Sequence, residues 1–209
     1  KGNTDEGVFE FYSRLIKAVP KIKIILYNFE KLSGYKFSVE AVMKLVKNFP
    51  DNIIGCKDSS YNLFENLKLP NFLIFPGSEA KLLNGLELGC SGCISAVTNV
   101  THSLAREVFD DFEKKKTQTK NDQLINVRET FDQYNLISAL HSFLATRDEK
   151  FKNILPPLIL LPQEKQKELI NKLNDLKFIF DESQAWKKRK KNLKKNKEVK
   201  KIKSLKKDL

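Results

Sequence analysis

Short apolar runs begin near residues 22, 53, 72 and 93, and stretches of helical periodicity separate them. A strand, a helix and another strand can rejoin one sheet only by crossovers, so this repeat demands a parallel sheet with helices outside. Val8, Tyr12, Leu15, Ile16 and Val19 share a helix face behind the acids Asp5 and Glu6, and Pro20 closes it. Residues 22–26 read as the first strand, with Tyr27-Asn28 at its end. A second helix carries Val39, Val42, Met43 and Val46 on one side and stops at Pro50. Residues 53–56 form the next strand and end at Lys57. A short helix is expected over 61–67, a strand over 72–75, a helix over 80–88, and a fourth strand over 89–97.

The strands then stop. Leu104, Val108, Phe109 and Phe112 mark a helix that finishes in Lys114-Lys115-Lys116, the charge sense favoured at a C-terminus. Further helices are expected around 123–134, 136–146 and 164–176, with a break at Pro156-Pro157. The organisation expected is a βα segment over 1–103, a helical segment over 104–180 and a basic tail over 187–209.

The most chemical stretch is Ile53-Ile54-Gly55-Cys56-Lys57-Asp58-Ser59-Ser60. It delivers a lysine to the C-terminal end of an apolar strand, just before residues suited to a helix N-cap. That edge of a parallel α/β sheet is where chemistry is usually placed. A lysine among apolar neighbours loses its charge more easily than a solvated one, and can then attack a carbonyl. With 38 Lys and Arg residues in the chain, a lone lysine reads first as solvated decoration. Only its context sets Lys57 apart.

Composition removes several other classes. No apolar run approaches the eighteen residues that span a bilayer. Cys56, Cys90 and Cys93 are odd in number and do not form a secreted disulfide framework, so a reducing cytoplasm is expected. Cys90-x-x-Cys93 lacks a second pair or a nearby histidine other than His102, and reads as small buried side chains rather than zinc. The net charge of +12 is uneven: residues 187–209 hold 13 basic and 2 acidic residues, a net of +11, and the remainder carries +1. Non-specific binding of anions or nucleic acid is therefore an expectation for the tail alone. Starting at Lys1, the chain also suggests a missing upstream part.

Tyr27-Asn28, Gly55-Cys56-Lys57-Asp58-Ser59, Gly77 to Gly89 and Gly92-Cys93-Ile94-Ser95 with Asn99 stand in one order. Together with Leu155-Pro156-Pro157-Leu158, they resemble the dihydrodipicolinate synthase and N-acetylneuraminate lyase family of class I aldolases, from Glu6 to about Leu176. The resemblance implies a (β/α)8 barrel with a helical C-terminal extension. Such a barrel takes roughly 250 residues, so this chain reads as its C-terminal half, about four βα units. A homo-oligomer, tetramer or dimer, is implied for the full-length protein.

By the same resemblance Lys57 is the Schiff-base lysine for a 2-oxo acid such as pyruvate, and Tyr27 the proton shuttle. No metal or organic cofactor is implied. Ser59 and Glu79 correspond to contacts with the rest of the substrate, and Gly77 and the backbone of Ile94 to the lining of the keto-acid pocket. Read alone, Tyr27 is a tyrosine packed at a strand end, Ser59 and Glu79 are helix-capping groups, and the glycine serves a turn. Glu30 stands where the family has proline. Leu32 replaces the arginine of synthases that use aspartate semialdehyde, and Ala80 a glutamate of the neuraminate-lyase branch. These departures favour cleavage of a 2-keto-3-deoxy sugar acid. The alternatives are a dihydrodipicolinate-synthase-like condensation, or a non-catalytic truncated barrel with a binding tail.

Overall fold

The structure is a computed structural model that describes residues 2–182. The basic segment 187–209 lies outside the described residues. Helix α1 (Asp5–Ala18) precedes strand β1 (Ile24–Asn28), a single turn α2 (Glu30–Ser33), α3 (Val39–Asn48), β2 (Ile53–Asp58) and β3 (Leu73–Pro76). A 3-10 turn (Glu79–Lys81) runs into α4 (Leu82–Glu87). Then come α5 (Thr98–Glu113), α6 (Asn121–Asp132), α7 (Leu136–Ala145), a second 3-10 turn (Glu149–Lys152) and α8 (Gln163–Asp175). Ser38 shows how sequence sets these limits: its hydroxyl accepts from Ala41 N at 3.0 Å and opens α3.

The three strands form one parallel sheet in the order β1-β2-β3. Strand alternation divides its two faces. Leu26, Cys56 and Ile74 point toward the helices and are buried with Ile16, Val42, Leu45 and Phe64. Ile25, Tyr27 and Leu73 alternate with them and remain 41%, 43% and 40% exposed, so the opposite face stands open. A second core joins α4 to α8 through Leu86, Val97, Val108, Leu124, Phe131, Phe143 and Leu169. At Gly55 an added Cβ would lie 2.5 Å from the Leu73 carbonyl oxygen, so the close approach of β2 to β3 requires glycine there.

Two expected elements differ. Residues 90–95 do not form a fourth strand. They run beside β3, with Ser91 N donating to Ile74 O at 2.9 Å and Ile94 N to Pro76 O at 3.1 Å. Three steps of this segment thus match two steps of β3, and Gly92 at φ +139° supplies the kink that breaks the ladder. Cys93 accordingly lies in an irregular segment rather than within a strand. Residues 61–67 are turns rather than a helix, because Tyr61 stands at φ +58°, outside the right-handed helical region.

What holds those turns is Asp58, which is fully buried. Its carboxylate accepts from the backbone N–H of Tyr61, Leu63 and Phe64 at 2.8–3.0 Å, and from Asn28 Nδ2 at 2.8 Å. Asn28 also donates to Asn62 Oδ1 and accepts from Phe37 N. Asp58→Ala strands all four donors, three of them backbone, so it should cost about 3–5 kcal/mol. Urea unfolding near neutral pH measures it, and a loss below about 1 kcal/mol would mean that water replaces the carboxylate freely.

Candidate active site

Parallel register places Tyr27, Lys57 and Phe75 side by side across β1, β2 and β3. All three fall on the open face, near the C-terminal end of the sheet. The Lys57 Nζ lies 4.2 Å from the centroid of the Tyr27 ring, over its face. An ammonium in that position is attracted by the ring quadrupole, which fixes where the long side chain rests. Both residues line a cleft of about 610 Å3, together with Ser59, Gly77, Tyr61 and Arg128.

The backbone around the cleft is drawn tight. Ser59 N and Ser60 N both donate to Asn28 O, and Gly77 N donates to Asp58 O at 2.8 Å. A Cβ on Gly77 would sit 2.1 Å from Ser59 Oγ, so no larger residue fits without moving Ser59. Ser59 therefore opens no helix, and its hydroxyl borders the cleft at the point where two strand ends meet. Lys57, Tyr27, Ser59 and Gly77 are thus brought together.

Glu79 and Ile94 are placed differently. Neither is part of the cleft wall. The Glu79 carboxylate is fully buried and accepts from Ser95 Oγ at 2.5 Å, Thr101 Oγ1 at 3.0 Å and Arg128 Nη1 at 3.1 Å. Capping of the 3-10 turn falls to Ser78, whose hydroxyl accepts from Ala80 N. Ile94 contributes a backbone N–H to β3 and lies beside the pocket rather than on it.

Arg128, absent from the residues expected from sequence, is brought to the cleft by α6. Nε donates to Asp132 at 2.8 Å, and Nη1 to Glu79 and to Ser95 Oγ at 2.9 Å. A signal existed: Arg128 is four residues after buried Leu124 and three before buried Phe131, on the packed stripe of its helix. A charge in that stripe needs a buried partner.

The chain matches the dihydrodipicolinate synthetase family across residues 2–176. It belongs to that family. A 4-hydroxy-tetrahydrodipicolinate synthase of Hydrogenobaculum sp. (strain Y04AAS1) is 31% identical over 183 residues, 82% of this chain and 62% of that protein. An N-acetylneuraminate lyase of Clostridium perfringens (strain SM101 / Type A) is 32% identical over 113 residues, 52% of this chain and 38% of that one. The fold is that of solved family members. A dihydrodipicolinate synthase from Agrobacterium tumefaciens superposes with a TM-score of 0.71 at 23% identity, over 84% of this chain and 62% of the other. YagE, a prophage protein from E. coli K12 solved in complex with pyruvate, gives 0.71 at 20% identity, over 85% and 63%. A third, described as the first monomeric dihydrodipicolinate synthase variant, gives 0.69 at 17% identity, over 86% and 63%. The chain spans less than two thirds of the length of each of these relatives. No described helix is long and apolar enough to cross a membrane.

The cysteines of this family member stand apart from the cleft. Burial, followed by the nearby Asp58 charge, pushes the Cys56 thiol up to about 12. Burial, followed by Glu79, does the same for Cys93. Unfolded thiols ionise near 8.5, so between about pH 9 and 12 the unfolded chain binds fewer protons than the native one. Stability is then complete below that window and is lost as pH rises through it. At pH 8.5 iodoacetamide should modify Cys56, which is fully buried, only after urea is added, read by peptide mass. Rapid labelling of Cys56 in the native protein contradicts the burial.

Proposed function

We propose that Lys57 is the Schiff-base nucleophile of a class I aldolase that forms or cleaves a carbon–carbon bond next to the carbonyl of a 2-oxo acid. The observation that supports it is the pairing of Lys57 with Tyr27 across adjacent strands, with Nζ 4.2 Å over the ring, at the wall of a cleft. The uncharged Lys57 amine adds to the keto carbon of pyruvate, and loss of water gives an iminium. The iminium draws electrons from C3, which loses a proton and becomes an enamine. That carbon attacks the aldehyde carbon, the new alkoxide takes up a proton, and water releases the product from Lys57. Cleavage runs the same steps in reverse. Tyr27 is positioned to carry the proton to and from the hydroxyl, an acid–base task that pairs with the nucleophile beside it. No metal or organic cofactor is called for, because the iminium is itself the electron sink.

Within this reading the chain supplies three paired strands of a (β/α)8 barrel, with residues 90–95 as an irregular segment in the place of a fourth, and further units close the open sheet face. In this reading the full-length protein assembles as a homo-oligomer, tetramer or dimer, as the family resemblance implies. Free thiols at Cys56, Cys90 and Cys93 suit a reducing cytoplasm. Incubation with pyruvate and borohydride tests the core of the proposal: a reduced adduct should appear on the peptide that carries Lys57. Labelling confined to other lysines removes the assignment.

The substrate favoured is a 2-keto-3-deoxy sugar acid. Leu32 borders the cleft with an apolar side chain, and Glu30 and Lys31 beside it offset one another. A second carboxylate meets no unopposed cation there. Aspartate semialdehyde should therefore be a poor acceptor in condensation with pyruvate. If it outpaces every sugar-acid cleavage assayed, the synthase-like alternative is the better one.

A further inference from the structure

Arg128 lines the cleft yet has no part in the Schiff-base steps. Its side chain is 11% exposed, and the residue is part of the cleft wall. Nε is engaged by Asp132, and Nη1 by Glu79 and Ser95. Among the described residues Nη2 has no acceptor. A guanidinium holds its donors in one rigid plane, so pinning Nε and Nη1 also fixes the direction of the Nη2 pair. That fixing is unusually complete, because Ser95 Oγ both accepts from Arg128 and donates to Glu79.

The charge around it decides what Nη2 can hold. Glu79 and Asp132 set two formal negative charges against one positive. A phosphate or second carboxylate would meet a cation that is already neutralised. A hydroxyl accepts the N–H without bringing charge into the cluster, and the hydroxyl-bearing Ser59, Ser60 and Tyr61 share the wall. We propose that Arg128 determines specificity for the aldehyde half of the substrate, donating from Nη2 to a hydroxyl of a polyhydroxy aldehyde. The proposal rests on the Schiff-base reading of Lys57 and deepens it.

The test compares condensation of pyruvate with D-glyceraldehyde, with propanal (the same three carbons without hydroxyls) and with glyceraldehyde 3-phosphate, in the whole protein. The unsubstituted protein should favour glyceraldehyde over propanal in kcat/KM. Arg128→Lys keeps a cation for Glu79 but loses Nη2, and should shrink that ratio about tenfold to a hundredfold, as expected for a charge-assisted hydrogen bond. The double substitution Arg128→Met with Glu79→Gln leaves no orphaned carboxylate and should shrink it likewise. A proportional loss for both aldehydes in both variants overturns the proposal and makes Arg128 a clamp only. Preference for the phosphorylated aldehyde, lost in the variants, overturns it in favour of anion binding. The borohydride adduct at Lys57 is followed in the same samples. Its absence from the unsubstituted protein overturns the Schiff-base reading and this one together, whereas an adduct with an unshifted ratio overturns this one alone.

Discussion

Lys57→Ala should abolish covalent capture of pyruvate, whereas Tyr27→Phe should leave capture measurable and slow carbon–carbon cleavage about a hundredfold or more. The two substitutions divide the mechanism at the iminium. Without the Lys57 amine no carbon–nitrogen bond forms, and the keto acid has no electron sink. Tyr27→Phe keeps the ring that lies beneath Nζ, so the resting place of Lys57 is conserved and only the phenolic proton is lost. Single-turnover mass measurements give the adduct, and steady-state kcat gives cleavage. A Tyr27→Phe enzyme with undiminished kcat would assign the proton to another group, and residual adduct in Lys57→Ala would assign the nucleophile elsewhere.

The second large effect is expected when these 209 residues are produced alone. β1 has no strand partner on its outer side among the described residues, and Ile25, Tyr27 and Leu73 face outward from the sheet. An open edge beside an apolar face is a template for self-association, a hazard that closed barrels avoid. Catalysis suffers as well. Without the strands that would face Lys57 from the rest of a barrel the keto acid is poorly oriented, and misplacement by about 1 Å can cost a hundredfold. The isolated chain should therefore elute as aggregates with negligible turnover, and four further βα units, fused or as a second chain, should restore solubility and rate together. A monodisperse monomer with ordinary aldolase turnover refutes the half-barrel proposal.

The sheet and its lysine were legible because short apolar runs and helical stripes are local signals. Ile53 and Cys56 are buried as expected and α8 keeps the face that spacing assigns to it, whereas α3 buries Ala41, Val42 and Leu45 and turns Met43 outward. The polar scaffold was not legible in the same way. Asn28, Asp58 and Asn62 are separated by some thirty residues or lie in a turn, and their bonds exist only once β1 and β2 are paired. The glycine-rich run after α4 looked like a strand because its side chains are apolar and small. The kink at Gly92 depends on backbone dihedrals that composition does not reveal. Glu79 looked like a cap from its place before a helix, but three partners from three other segments claim its carboxylate.

Lys57 and Asp58 are adjacent, yet β2 sends them to opposite faces, one to the cleft and one into the helix-packed interior. A slip of one residue in the pairing of β2 exchanges them. The ammonium would then be trapped among Leu26, Val42 and Phe64, and the carboxylate would lose its four donors. Such a misaligned chain is disfavoured twice over, by a buried ammonium and by four buried donors left without an acceptor. The register of β2 thus decides whether the Lys57 amine reaches the cleft at all.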